Sequence, residues 1–457
     1  MSFSSAAAIA ADVAAGRRSA ADVVEAALAR IAQRNPHLNA FTAVTADRAR
    51  ATAARVDAGQ AAGPLAGVPF AVKNLFDIAG LPTVAGSKIN RDQPPAAADA
   101  VLIQRLEAAG AVLVGALNMG EYAYDFTGEN CHDGPSRNPH DPTRMTGGSS
   151  GGSGGAVAAG LVPIALGSDT NGSIRVPSSF CGLFGLKPTY GRLPRTGSFP
   201  FVSSLDHLGP LARTTRDLAL AYDVMQGPDP GDAACAGRPV APVSALLGKP
   251  TQGLRIATAG GYFRAGASPE ALSAVDTVAN ALGAVRTIEV PEAARARSAA
   301  YVITASEGAA LHLGRLRERA EDFDPDVRDR LIAGALIPAA MVVGAQKFRR
   351  WYRDAMLRLF DGVDAILAPA TPCVAPLIGQ KTLLLDGRAV PLRPNIGLYT
   401  QPISFIGLPV VAVPVALSGG LPIGVQIIAA PWREDIALRI AYDLETAGVV
   451  RAPLPSE

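Results

Sequence analysis

The chain has 457 residues, 49% of them hydrophobic, and a formal net charge of +2 from 42 Lys and Arg against 40 Asp and Glu. That length allows two or three domains or one large α/β domain with a sizeable core, and the scattered, balanced charge argues against a nucleic-acid or membrane-surface partner. No run of about 18 uncharged apolar residues suggests a membrane span, and Cys131, Cys181, Cys235 and Cys373 lack metal or redox spacing.

The N-terminus, Met1-Ser2-Phe3-Ser4-Ser5-Ala6, carries no basic segment of the kind that opens a signal peptide. Reduced, partly buried thiols in a cytoplasmic protein are therefore expected. Ala, Val and Leu at helical spacing predict a helix over residues 4–34, stopped at Asn35-Pro36, and a second over about 46–58. Leu65 to Lys73 reads as a buried strand, and residues 98–109 as a helix leading to a strand at 111–115. A helix near 213–226, a strand near 253–258 and helices over about 269–283 and 296–360 follow. Strands through 365–369, 410–414 and 424–428 close the chain. Continuous apolar strands alternating with helices predict an α/β fold, a large mixed, mostly parallel sheet covered by helices on both faces. A single domain is expected over 1–457, with N-terminal helices at about 4–58, a catalytic core at 65–225, a helical substrate-pocket region at 265–360 and C-terminal strands at 363–457. The Pro- and Gly-rich stretch 226–252 reads as a surface loop.

The chemistry concentrates at residues 147–175. Gly147-Gly148-Ser149-Ser150-Gly151-Gly152-Ser153-Gly154-Gly155 runs straight into the apolar segment Ala156 to Leu166, then into Gly167-Ser168-Asp169-Thr170-Asn171-Gly172-Ser173-Ile174-Arg175. A flexible linker would not lead directly into a segment that must be buried. Glycines in a buried region mark unusual backbone angles or close approach of backbone to ligand. In the turn Asp169 to Ser173, successive N–H groups can converge on one point and stabilise an oxyanion. Asp169 and Arg175 are expected to form a buried ion pair that holds this turn.

Lys73 ends a strand whose neighbours, Val68 to Val72, are all apolar. A charged ammonium there would be costly, because desolvation penalises the charged form and lowers the pKa. A neutral amine in a dry site is a competent general base. Serine needs such a base to become a nucleophile. A Ser-His-Asp arrangement remains open at this point, since His207 and His312 follow the serines. Gly-x-Ser-x-Gly occurs three times within 147–155, but as a by-product of composition, with no clear strand-turn-helix context. No phosphate-binding glycine motif is present.

These residues carry a resemblance. Gly147 to Arg192, ending Phe180-Cys181-Gly182-Leu183-Phe184-Gly185-Leu186-Lys187-Pro188-Thr189-Tyr190-Gly191-Arg192, resembles the amidase signature family, and the likeness extends from Gly67-Val68-Pro69-Phe70-Ala71-Val72-Lys73 to Leu421-Pro422-Ile423-Gly424-Val425-Gln426. It implies a Ser-cisSer-Lys triad. Ser173 would be the acylated nucleophile, Ser149 would follow a cis peptide and relay protons, and Lys73 would be the base. Thr170, Asn171, Gly172 and Ser173 would supply oxyanion-hole N–H groups, with Ser150 and Ser153 in support. No metal or organic cofactor is implied. Asn171 stands where most relatives have Gly; Asn tolerates left-handed backbone angles, and its side chain would project near the acyl pocket.

Further stretches, Ala85 to Arg91, Gln226 to Pro230, Ile303 to Gly308 and Ala429 to Trp432, resemble the carboxybiuret-hydrolysing branch of that family. The likeness implies cleavage of a terminal amide in a small anionic ureide with release of ammonia. It also implies a small helical partner resembling the C subunit of tRNA-dependent amidotransferases, in a homo- or hetero-oligomer, with no direct contact to nucleic acid or membrane. Lys88, Arg91, Arg315, Arg328 and Arg330 are the cationic candidates for the substrate's anionic group, with Gln401, Tyr399 and Ser150 as polar candidates and Glu121 and Asn130 near the channel. The glutamine-hydrolysing component of a tRNA-dependent amidotransferase and a general aliphatic or aryl amidase are the rival readings.

Overall fold

The computed structural model describes residues 4–417 and 420–455. Its strands are, in chain order, β1 (Phe41–Val44), β2 (Pro69–Lys73), β3 (Val112–Leu117), β4 (Arg137–Asn138), β5 (Asp141–Met145), β6 (Ile164–Asp169), β7 (Phe184–Lys187) and β8 (His207–Ala212), then β9 (Ile256–Ala259), β10 (Arg286–Ile288), β11 (Ala365–Pro369), β12 (Thr382–Leu385), β13 (Arg388–Pro391), β14 (Val410–Val415) and β15 (Ile423–Ala429). Eleven of them make one sheet in the order β1-β3-β2-β6-β8-β7-β14-β15-β11-β9-β10; β4 with β5, and β12 with β13, form separate two-stranded pieces.

The sheet is mixed, as the sequence suggested, but its parallel share is smaller than expected. Parallel pairing is confined to β3-β2-β6 at one end and β11-β9-β10 at the other. The centre, from β6 through β8, β7, β14 and β15 to β11, is antiparallel. Strands buried on both faces read as continuous apolar runs whatever their direction, so the pattern that announces the sheet does not announce its polarity. Every residue of β2, β3, β6, β8, β11, β14 and β15 is buried.

The first predicted helix is two helices. Ala6–Ala14 and Ala20–Leu38 are separated by Gly16 in a left-handed conformation (φ 67°), and Ser19 caps the second by accepting from the Asp22 N–H. Pro36 does not stop it: proline sits in the last turn, and Asn39, left-handed at φ 50°, closes the helix. The region 296–360 resolves into helices Ala293–Arg319, Pro325–Ala335 and Ala339–Leu359.

The glycine-rich stretch itself contains a helix, Gly151–Ala158, every residue of it buried. Glycine is a poor helix former, and here it is required by proximity. A Cβ on Gly152 would lie 2.5 Å from the Ala40 carbonyl oxygen and from the Asn118 amide nitrogen, and one on Gly154 would press on Pro177. The helix can thus lie directly against its neighbours, which sets Ser149 and Ser150 at its N-terminal edge. No single helix among the described residues is long and apolar enough to cross a membrane.

Candidate active site

β2 lies between β3 and β6, so its C-terminal residue, Lys73, is in the interior of the sheet and fully buried. Its Nζ donates to Ser149 Oγ at 2.6 Å and to Ser168 Oγ at 2.9 Å. Burial is the dominant influence and pulls the amine down to about 7, outweighing the opposing attraction of Asp206, Asp169 and Asp125. Ser149, also fully buried, follows a cis Gly148–Ser149 peptide between β5 and the helix Gly151–Ala158. That is a strand-turn-helix setting the sequence did not reveal, yet the hydroxyl turns to the lysine rather than to a histidine.

β6 ends at Asp169, and the chain turns through Thr170, Asn171, Gly172 and Ser173 before the helix Arg175–Cys181. Two clamps hold the turn. Arg175 donates through Nε and Nη2 to the two carboxylate oxygens of Asp169, each at 2.9 Å, with both side chains fully buried. Its Nη1 donates to Gln426 Oε1 at 2.7 Å. Burial pushes the Asp169 carboxyl up, but the Arg175 guanidinium, with Lys187 and His207 behind it, holds it well below the usual carboxylate range. Thr400 Oγ1 donates to the Asn171 carbonyl at 2.7 Å, and Thr170 Oγ1 donates to Asp206 Oδ1 at 2.6 Å. Gly172, at φ 144°, lies so close to Thr400 that any Cβ would collide with its hydroxyl.

With the Asn171 carbonyl and the Thr170 hydroxyl engaged, the turn leaves its amide donors free. The amide N–H groups of Thr170, Asn171, Gly172 and Ser173 donate to no protein acceptor among the described residues. Ser173 and Asn171 line a narrow cleft, with Tyr301 and Thr304 from helix Ala293–Arg319, Arg330 from helix Pro325–Ala335, and Gln401. No hydrogen bond joins Ser173 to Ser149 among the described residues; the bonded pair is Lys73 with Ser149.

The histidine alternative has no geometry. His207 Nδ1 lies 3.0 Å from the Asp169 carbonyl and 2.6 Å from that of Leu205, and burial holds its pKa well below the ordinary value. His312 is packed against Tyr122, 4.0 Å between ring centres, and burial lowers it to about 3.

Among the candidate substrate contacts, Arg330 and Gln401 face the cleft. Arg330 packs over the Tyr124 ring at 4.0 Å and donates through Nε to the Asp326 carbonyl; Gln401 accepts from Arg297 Nε at 3.0 Å. The others are engaged elsewhere. Ser150 Oγ bonds the Ser168 backbone, where a hydroxyl at the edge of a buried helix finds its nearest carbonyl. Glu121, fully buried, accepts from Ser87 Oγ, His132 Nε2 and the Asp324 N–H, so it ties three loops together and does not reach the cleft. Arg315 lies over the Phe199 ring, Lys88 pairs with Asp322, Arg91 with Asp133 and Arg328 with Asp329. Tyr399 donates to the Ala265 carbonyl and Asn130 to the Gly86 and Met119 carbonyls. Asn171 does not use the left-handed conformation anticipated for it; the positive φ falls on Gly172.

Sequence reasoning missed Ser168, the second hydroxyl on Lys73, and Asp206, whose carboxyl attracts the lysine's charge and fastens Thr170. Ser168 gives a faint signal as a lone hydroxyl in the apolar run Ile164 to Gly167; Asp206 gives none.

A buried amine drawn down to about 7 and bonded to one hydroxyl thus lies beside a turn of free amide groups that carries another, within an α/β fold. Residues 22–438 match the Amidase family, and the chain belongs to that family, a hydrolase of amide C–N bonds. The chain is 56% identical over 445 residues, 96% of its length, to the AtzE component of 1-carboxybiuret hydrolase from Pseudomonas sp. (strain ADP), covering 97% of that protein. It is 40% identical over 97% of its length to the A subunit of the glutamyl-tRNA(Gln) amidotransferase of Roseiflexus sp. (strain RS-1), covering 96% of it. A solved structure described as a vestigial protein complex revealing the origins of an s-triazine catabolic enzyme superposes with a TM-score of 0.97 at 55% identity, covering 98% of this chain and 100% of that one.

Proposed function

We propose that the protein hydrolyses the terminal amide of a small anionic ureide, 1-carboxybiuret being the expected substrate, and releases ammonia through an acyl-enzyme. The observation that carries this reading is the 2.6 Å contact between a fully buried Lys73 Nζ and Ser149 Oγ, with the amine drawn down to about 7. Neutral Lys73 takes the Ser149 proton as Ser149 takes that of Ser173, and Ser173 Oγ bonds to the amide carbon. Catalytic hydrogen bonds commonly tighten only once substrate is bound, and the relay between the two serines closes at that stage. The free N–H groups of residues 170–173 receive the oxyanion; one such donor is worth about 3 kcal/mol. The proton returns through Ser149 to the departing nitrogen, the C–N bond breaks, and ammonia leaves. Water then repeats the cycle and frees the carboxylate. Arg330, with Gln401 beside it, receives the anionic end of the substrate.

A small helical partner is part of the proposal, supported by likeness to the glutamyl-tRNA(Gln) amidotransferase component and to a chain described within a complex, and the free thiols suit action in the cytoplasm. The test is ammonia release from carboxybiuret, biuret, allophanate, glutamine and simple amides, with Ser173→Ala as control and mass spectrometry for an acyl adduct on Ser173. Turnover confined to glutamine, or release that survives Ser173→Ala, overturns the assignment.

A further inference from the structure

Asn171 is a buried amide whose side chain is half committed. It is 7% exposed and lines the cleft beside Ser173. Its Nδ2 donates to Thr304 Oγ1 at 3.0 Å, and its own carbonyl accepts from Thr400 Oγ1 at 2.7 Å. Both of its ends are therefore fixed, one to helix Ala293–Arg319 and one to the residues before Gln401. Its Oδ1 is buried with no hydrogen-bond partner. A buried acceptor left unpaired is expensive, and one in the lining of a cleft is placed for a donor from a ligand to complete it.

Position says what that ligand must offer. Asn171 belongs to the turn whose N–H groups are proposed to receive the scissile carbonyl's oxygen, and its side chain lines the same cleft as Ser173. In a ureide the atom bonded to the scissile carbon on its far side is an N–H; in glutamine and aliphatic amides it is a CH2. An orphan carbonyl oxygen can accept from the first and gains nothing from the second. We infer that Asn171 Oδ1 accepts a hydrogen bond from the N–H adjoining the scissile carbonyl, making Asn171 the residue that selects ureides over carbon-chain amides. Thr304 is its positioning residue, holding the carboxamide by its Nδ2 and so leaving Oδ1 as the uncommitted atom. This rests on the proposed attack by Ser173 in the same cleft.

Two probe pairs isolate the one group: biuret against malonamide, and hydantoate against succinamate, each pair alike in length and charge and differing only in N–H for CH2. The readout is kcat/KM where a probe is turned over, and otherwise its Ki against the best ammonia-releasing substrate. Wild type prefers the N–H member of each pair, and Asn171→Gly or Asn171→Ser lowers that preference about tenfold, the size of one lost hydrogen bond. Thr304→Val lowers it less. A general folding defect would depress both members of a pair together and leave the ratio unmoved. An unmoved ratio in both Asn171 variants, a wild type without preference, or no binding by either N–H probe overturns the inference. Ser173→Ala measured alongside keeps the two proposals apart: if it abolishes ammonia release while the Asn171 ratio stays unchanged, only the selector role fails.

Discussion

Two lysines close strands of the same sheet and meet different fates. Lys73 ends β2 and Lys187 ends β7; both are fully buried, and burial draws both down to about 7. Lys73 Nζ faces two hydroxyls, those of Ser149 and Ser168. Lys187 Nζ donates to the carbonyls of Pro188 and Leu408, with the Arg175 guanidinium close enough to help depress its pKa. Desolvation, as the dominant influence, therefore draws a lysine down to about 7 twice in this molecule. Whether that amine is a base depends on its partners, because a carbonyl has no proton to give and a hydroxyl does.

The comparison breaks if Lys187 proves catalytic. Lys73→Met is expected to lower kcat about 10³-fold or more, as removal of a triad member does, whereas Lys187→Met leaves kcat within a few-fold; steady-state ammonia release reads both. Equal losses would mean that burial, not the facing hydroxyl, matters. A second expectation concerns the clamp behind the turn. Asp169→Asn strands the buried Arg175 guanidinium without its carboxylate and costs about 3–5 kcal/mol of stability, measured by denaturant unfolding, while breaking the exposed pair Arg50–Glu25 should leave the unfolding midpoint nearly unmoved.

The pH profile sharpens the same contrast. With neutral Lys73 as the proposed base and its pKa lowered to about 7, kcat/KM should rise with pH through about 7 and level off above it. Lys187→Met should leave that limb in place; a limb that moves with Lys187 assigns the titration to the wrong lysine. The smallest effect is expected at Arg315, which lies over Phe199 outside the cleft: Arg315→Ala should change KM less than twofold, whereas Arg330→Ala, from within the cleft, should raise it about tenfold or more, as expected for a charge-assisted contact.

The fate of the site residues shows what kind of information a sequence holds. Lys73 was legible because an unbroken apolar run around a lysine states burial directly, and the turn 169–173 was legible because Asp, Asn and Gly in succession state backbone shape. The candidate arginines were not separable, since Arg315 and Arg330 differ only in which side of two packed helices they occupy. Ser150 and Glu121 looked like site residues because they adjoin the right segments, but each satisfies its polar atoms on backbone or loop partners brought in from distant parts of the chain.

What the sequence determined by itself was local: the elements of a covered sheet, a glycine stretch that had to be buried, and a lysine compelled to lose its water. Tertiary structure decided the rest. It chose the antiparallel centre of the sheet, gave Lys73 a second hydroxyl in Ser168 and an anionic neighbour in Asp206, and left Lys187 facing only carbonyls. The physical reason is range: desolvation can be read from adjacent residues, but a hydrogen-bond partner 76 or 95 positions away exists only after the chain has folded.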